Sequence, residues 1–287
     1  MSKDAPAPRG TTIPVGFTGD VRDIDPHGTP GFEKGKKAGQ ALLEKRVDAV
    51  SELQERLYAE AHGQESGPSI LLVVQGMDTS GKGGIMRHVV GSVDPQGARI
   101  TAFKAPTDEE RAHHFLWRIR PHVPEPGMIG VFDRSHYEDV LIHRVHGWAD
   151  AAEIEKRYEA INAFEAGLVE DGCRVVKVML HLSHQEQGER LMERLERDDK
   201  HWKYNPGDVD ERLLWSDYMD AYSAALAATS TEAAPWHVVP ADRKWYARLA
   251  VQQLLLDALR DIDPQWPAAE FDVEAEIARL RATLDDR

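Results

Sequence analysis

The chain has 287 residues, 41% of them hydrophobic, and carries 35 Lys+Arg against 49 Asp+Glu for a net charge of −14. That is enough apolar residue to bury a full α/β core without disulfide or metal staples. The acidic balance argues against sequence-independent nucleic-acid binding, which rests on neutralising phosphates, and no apolar stretch approaches the roughly 20 residues needed to span a bilayer.

Residues 1–32 are rich in Pro, Gly, Asp and Thr without periodicity and read as an extended arm with little structure of its own. Residues 33–66 place Leu42, Leu43, Val47, Val50, Leu53 and Leu57 at helical spacing, which predicts one long amphipathic helix. The core is expected over 67–262. It opens with Ile70 to Val74, a continuous apolar run of strand length, as in a strand buried on both faces. "ARITAFKA" follows as a second strand. "TDEERAHHFLWRIRPHV" then starts a helix with Thr107 as N-cap and Glu110 as its capping-box partner. "GMIGVFD" is a third strand leading into "RSHYEDVLIHRV", and Tyr158 to Val169 belongs to another helix. "CRVVKVMLHL" is a fourth strand, and its Cys173, the single cysteine, reads as core packing. With no N-terminal apolar segment of signal-peptide length, this cysteine usage favours a reducing, cytoplasmic location. "WHVVP" is a fifth strand before the helix "RKWYARLAVQQLLLDALRDI". The alternation predicts an α/β fold: a parallel five-stranded sheet with helices on both faces. A mostly charged helical insertion occupies about 184–229, and 263–287 reads as a helical tail.

Between the first strand and its helix lies "GMDTSGKGG". Gly76 to Lys82 matches the phosphate-binding loop G-x-x-x-x-G-K, in the strand–loop–helix context that the motif requires. Backbone N–H groups of such a turn and the helix start near Lys82 offer donors to phosphate oxygens, and the lysine adds a point charge. Gly76, Thr79, Ser80, Gly81, Gly83 and Gly84 are therefore candidate phosphate-binding positions. Gly83 stands where the usual motif has the hydroxyl that holds Mg²⁺. Asp78, an acid in a loop built for anions, is a candidate substitute through a hard cation. Asp133 ends the third strand at the carboxyl edge of the sheet, where open α/β folds bind ligands, and is a second candidate metal ligand. It also suits an N-cap of the next helix. From Lys82 to His146, nine Lys/Arg stand against eight Asp/Glu, with seven of the thirteen histidines, so this acidic chain is locally near neutral to basic.

"GMDTSGKGG", "FKAPTDEE", "FLWRI", "FDRSHYEDVL" and "ADRKWYAR" together resemble the second family of polyphosphate kinases, over roughly Phe32 to Ile262. The resemblance implies a thymidylate-kinase-like P-loop fold with a helical lid, Mg²⁺ with Mn²⁺ as a substitute, and assembly as dimers or tetramers. It implies phosphoryl transfer between inorganic polyphosphate and AMP, ADP or ATP, with no nucleic acid or membrane as partner. Position by position, Asp78 and Lys82 match the loop acid and lysine that handle metal and phosphate. Asp133 and Arg134 match the metal-holding acid and phosphate-contacting arginine, and Lys104 and Arg118 match basic channel positions. "RSHY" followed by Glu138 resembles the branch that accepts AMP, which implies Tyr137 and Glu138 beside the nucleotide.

In the insertion, Arg190, Arg194 and Arg197 share one helix face, with Lys200 and Lys203 beyond, as a phosphate clamp would. Glu186 and Glu193 each precede one of these arginines by four residues, so a solvated face laced with ion pairs explains the same pattern and is the preferred reading of these residues without the resemblance. Asn205-Pro206 marks a helix break suited to a hinge. The histidine pairs lack zinc-site spacing. The expected reaction is direct in-line transfer catalysed by Asp78, Lys82, Asp133 and Arg134. Two alternatives are an ATP-dependent nucleoside monophosphate kinase and a non-catalytic nucleotide-binding regulatory protein. Choice of phosphoryl donor separates the first. The second has no need to keep Asp133 and Arg134 together with Lys82.

Overall fold

The structure is a computed structural model and describes residues 7–285. Its sheet has six strands: β1 (Thr11–Thr12), β2 (Ser69–Gln75), β3 (Ala98–Ala102), β4 (Ile129–Asp133), β5 (Cys173–His181) and β6 (Trp236–Pro240). They lie in the order β1-β6-β5-β2-β4-β3. All five expected strands are present and parallel. The sixth corrects the expectation for the arm: β1 pairs antiparallel with β6 and makes the sheet mixed. The reason is burial. Ile13 and Val21 sink into the core, and the Ile13 amide donates to the Trp236 carbonyl at 2.8 Å. Two apolar anchors in a polar segment hold the arm against the edge that β6 would otherwise expose.

β2 lies between β4 and β5, and all seven of its residues are buried. This explains its unbroken apolar run, since helices cover both faces of a parallel sheet. Leu71 and Val73 point into one core layer with residues of the helices Glu138–Val145, Ala151–Glu170 and Trp215–Thr229. Ile70, Leu72 and Val74 point into the other, against the helices Val47–Ala61, Lys82–His88 and Lys244–Ile262. The single helix expected over 33–66 is two, Lys36–Lys45 and Val47–Ala61, broken at Arg46. The break lets each segment follow its own partner. Gly39 lies so close to Trp245 that a Cβ there would stand 2.5 Å from the indole ring, while Val50 and Leu57 of the second segment enter the β2 core layer.

One charged group is buried at the centre of the sheet. The Lys177 Nζ on β5 donates to Glu165 Oε2 at 2.6 Å, to the Thr229 carbonyl at 2.6 Å and to the Tyr137 hydroxyl at 3.0 Å. Tyr137 in turn donates to Glu165 Oε1 at 2.8 Å, and the His136 Nε2 lies 3.2 Å from the same oxygen. Burial would raise the Glu165 carboxyl, but Lys177 and His136 outweigh it and hold the group ionised below its usual range. All three Lys177 protons have acceptors, which is the condition under which such a pair is tolerated.

Two predictions follow from these contacts. Lys177→Met strands the Glu165 carboxylate and should cost roughly 3–5 kcal/mol in urea unfolding, with Lys177→Met/Glu165→Leu recovering most of it. His237, in β6 beside Thr12, is pushed down to about 4 by burial and by the nearby Arg9. The folded chain resists protonating it, whereas the unfolded chain protonates near 6.5. Its stabilising contribution is therefore complete above pH 6.5 and is lost as the pH falls towards 4. Thermal unfolding from pH 7 to 4 should show a smaller acid-side decline for His237→Gln than for the parent.

Candidate active site

The loop after β2 is shaped by backbone that side chains resist. Gly76 and Gly81 have φ of 151° and 110°, and Thr79 is held at 64°. A Cβ on Gly76 would stand 2.7 Å from Ser80 Oγ and 2.9 Å from the Leu180 carbonyl, so only glycine fits. Gly81 is the N-cap of the helix Lys82–His88 and gives it no side-chain cap, leaving its first N–H groups for a ligand. Lys82 folds back over the turn and donates to the carbonyls of Gly76 at 2.6 Å and Met77 at 3.3 Å. A Cβ on Gly83 would meet nothing within 4 Å. The missing hydroxyl thus leaves open space in the cleft.

Across the sheet, the end of β4 supplies the opposite wall. Arg134 has a left-handed φ of 62°, and its amide donates to the Val74 carbonyl at 3.1 Å. Non-glycine residues in this region are strained, and such strain gathers at functional sites. The turn aims the guanidinium back across the loop, where it donates to Asp78 Oδ1 at 2.9 Å. Burial would raise the Asp78 carboxyl, but Lys82 and Arg134 outweigh it and keep it ionised below the usual carboxylate range. Burial lowers the Lys82 ammonium, with Asp78 opposing the shift. Glu138, half-buried behind Arg134, is raised by burial against the pull of Arg134 and Lys82.

These groups line a cleft of about 680 Å³ between the loop, the ends of β3 and β4, the insertion and the start of the helix Lys244–Ile262. Eleven of its lining residues are Lys or Arg and three are acids, in a chain of net charge −14. Such a concentration of cations in an acidic body is a site for a polyanion.

The cleft brings together Asp78, Thr79, Ser80, Gly81, Lys82, Gly83, Gly84, Lys104, Asp133 and Arg134 with Arg190, Arg194, Arg197, Lys200 and Lys203. Four expectations need correction. Tyr137 is wholly buried, its ring edge-on to Trp236 and its hydroxyl in the Lys177–Glu165 network, so it cannot meet a nucleotide. Arg118 is buried too. It donates to the Lys104 carbonyl at 2.8 Å and lies over the Phe103 ring, so it positions Lys104 and does not line the cleft. Arg190 reaches the wall, but four hydrogen bonds hold its guanidinium: to Glu186, to the Thr79 carbonyl at 2.9 Å, and to the carbonyls of Ala241 and Asp242. It anchors the loop. Glu138 stands behind Arg134 and Lys82 and is not a wall residue.

Within the insertion both readings of the charges hold in part. Arg194 bonds Asp208 at 3.1 Å, and Arg197 bonds Glu193 and Asp199 at 3.0 Å, yet both line the cleft. Three cleft cations escaped the sequence reading: Arg87, Lys244 and Arg248. Each had a signal. Arg87 stands four residues after Gly83 on the same helix face, and Lys244 and Arg248 are four apart in "ADRKWYAR", where β6 ends.

Among the described residues, no group of three or more His, Cys, Asp or Glu is placed to hold a metal ion. Asp78 and Asp133 nevertheless both line the cleft. Two carboxylates completed by substrate phosphates and water fit Mg²⁺, which is rarely held by an all-protein cage.

A glycine-rich loop closing on its own lysine, an Asp-Arg pair at the neighbouring strand end and a cationic helical insertion over both define a P-loop phosphotransferase. The family model for polyphosphate kinase 2 matches residues 33–267, and the chain belongs to that family. It is 41% identical over 251 residues to an AMP/ADP-polyphosphate phosphotransferase of Meiothermus ruber, covering 88% of this chain and 92% of that one. It is 39% identical over 267 residues to an ADP-polyphosphate phosphotransferase of Rhodopseudomonas palustris, covering 88% and 90%. The crystal structure of polyphosphate kinase 2 from Arthrobacter aurescens TC1 superposes with a TM-score of 0.92 at 57% identity, over 97% of this chain and 98% of that one.

The two kinds of insertion arginine should separate in a stability measurement. Arg190→Gln leaves three backbone carbonyls without their donor and should lower unfolding free energy by roughly 3 kcal/mol. Arg197→Gln, at an exposed pair, should leave the melting temperature unchanged.

Proposed function

We propose that this polyphosphate-dependent nucleotide kinase transfers the terminal phosphoryl group of inorganic polyphosphate to AMP and ADP, reversibly and in one direct step. The observation that carries the reading is the cleft itself, with eleven cations and three acids around a phosphate loop. That surplus exceeds what a single nucleotide triphosphate needs and suits a chain of phosphates. The relatives named for AMP and ADP support both acceptors.

The chain's own residues divide the work. The loop amides and Lys82 take the phosphoryl oxygens, and Lys82 exchanges its bonds to the Gly76 and Met77 carbonyls for the ligand. Arg134, held by Asp78 at 2.9 Å, stands where charge builds in the transition state. Lys104, Arg194, Lys200 and Lys203 line the path of the polyanion. Asp78 and Asp133 are the residues that would hold Mg²⁺, with Mn²⁺ as a substitute. When bound, the metal would supply positive charge against the phosphates. The acceptor phosphate is already anionic at neutral pH, so no general base is required. A phosphohistidine route lacks its carrier in "RSHY", because His136 is wholly buried against Glu165. No described helix is long and apolar enough to cross a membrane. A cytoplasmic location accords with that and with a buried thiol, Cys173, pushed up to about 11 by its apolar surroundings.

The decisive assay supplies Mg²⁺, long-chain polyphosphate and either AMP or ADP, and resolves the nucleotides formed. Formation of ADP and ATP supports the reading. ATP outcompeting polyphosphate as donor to AMP overturns it. In the same assay, Asp78→Asn and Lys82→Ala should each lose at least roughly 10²-fold in kcat/KM with unfolding unchanged. Near-normal turnover would remove the loop from the chemistry.

A further inference from the structure

At the opposite end of the sheet from the phosphate loop, the first residues of β5 and β6 open onto a second cavity, of about 690 Å³. Three segments close it: the arm at Arg9, the stretch from Phe32 to the helix break at Arg46, and the C-terminal half of the helix Lys244–Ile262. Gln252 of that helix pins the break by donating to the Leu43 carbonyl at 3.0 Å. Four arginines and two aspartates line the cavity, and both aspartates are engaged. Asp257 accepts from Arg9 Nε at 2.6 Å and from the Gln253 side-chain amide at 2.7 Å, and Asp261 accepts from Arg174 at 3.1 Å. Arg46 and Arg260 have no ion-pair partner among the described residues, and the Arg46 Nη1 is buried without an acceptor. Burial and the charge of Arg260 push the Arg46 guanidinium below its ordinary value, with Asp257 opposing. The same cavity has an apolar wall that includes Phe32, Leu42, Leu254 and Ala258.

We propose that this cavity binds a phosphate monoester carrying an apolar body, the chemistry of a nucleoside monophosphate, at a place separate from the catalytic cleft. Charge selects the anion. The two aspartates offset Arg9 and Arg174, which leaves the excess on Arg46 and Arg260. A phosphate monoester carries close to two negative charges at neutral pH, where a carboxylate carries one. The planar guanidinium fork also matches phosphate oxygens in pairs. The apolar wall selects the rest of the ligand. Inorganic polyphosphate is charged along its whole length and would leave Phe32, Leu42 and Leu254 without a partner, whereas an organic body covers them. The volume falls within the range of sites that hold small organic molecules. Bound there, the monoester joins the arm, the helix break and the helix whose first turns carry Lys244 and Arg248 to the catalytic cleft.

The test is hydrogen exchange of the full chain, read by mass spectrometry, with AMP as the probe and without metal or polyphosphate, so that no phosphoryl donor is present. AMP should slow exchange in residues 31–46 and 253–261. Residues 76–84 report the cleft separately, so the result here does not depend on which donor or acceptor the cleft uses. Adenosine lacks the phosphate and tripolyphosphate lacks the apolar body, and each should need at least roughly tenfold more than AMP for the same protection. Arg46→Gln/Arg260→Gln should shift the AMP concentration for half protection upward by at least roughly tenfold. Arg260→Glu, at an exposed side chain, should do the same with melting unchanged, and it carries the test if Arg46→Gln disturbs the helix break. Absence of slowing in both segments, parental AMP dependence in Arg260→Glu, or tripolyphosphate as effective as AMP would overturn the proposal, the last by making the cavity a site for inorganic anions. Loss of the protection in Lys82→Ala would do so as well, by assigning it to the cleft.

Discussion

The Lys177 ammonium, deep in the sheet with Glu165 at 2.6 Å, governs how the chain leaves β4. A buried charge demands that every proton find an acceptor, and two of the acceptors come from outside the pair: the Tyr137 hydroxyl and the Thr229 carbonyl. Meeting that demand draws Tyr137 and His136 into the core immediately after Arg134. The backbone must turn sharply to do so, and the left-handed φ of Arg134 is that turn. A residue thrown into this conformation next to a rigidly held neighbour has few places to point. Its guanidinium crosses to Asp78, and the two sides of the cleft are joined. Geometry at the site therefore rests on an ion pair that touches no substrate.

Charge is distributed with the same economy. Many of the cleft cations already have local partners: Arg194 has Asp208, Arg197 has Glu193 and Asp199, and Lys82 has two carbonyls. These contacts limit mutual repulsion while the cleft is empty. The Arg197 pairs are exposed and weak, so a polyanion can exchange for them at small cost. The chain around the cleft is acidic overall, and the basic strip gives it a place where a phosphate chain is welcome.

Much of this was legible in the sequence, and the omissions have physical causes. Four of the five parallel strands announced themselves as apolar runs, because a sheet covered on both faces needs them; β3, an edge strand with three of its five residues exposed, is the exception. The loop was legible because glycine at positive φ leaves few substitutes. β1 was not, since two residues of edge strand have no period; only Ile13 and Val21 in a polar arm hinted at it. In "DRSHYE" the first two residues face the cleft and the next three face the core, and adjacency along the chain cannot reveal which side of a backbone turn a residue takes. Tyr137 was misplaced for that reason. Arg118 and Arg190 were misread because a basic side chain in a phosphate enzyme looks the same whether it holds phosphate or holds the backbone that does. Only counting its hydrogen bonds tells them apart.

That count has a mechanical meaning for the insertion. Arg190 sits in the middle of the helix His184–Glu196 and is fastened to Thr79 in the loop and to Ala241 and Asp242 beyond β6. The root of the insertion is thereby riveted to the catalytic floor. Four residues on, Arg194 bonds instead to Lys203 and Asp208, inside the insertion itself. The cover over the cleft consequently has a fixed root and a separately braced outer part. Arg194, Arg197, Lys200 and Lys203 thus stand as one cationic group braced from within the insertion, while Arg190 lends its charge to the shape of the loop beneath.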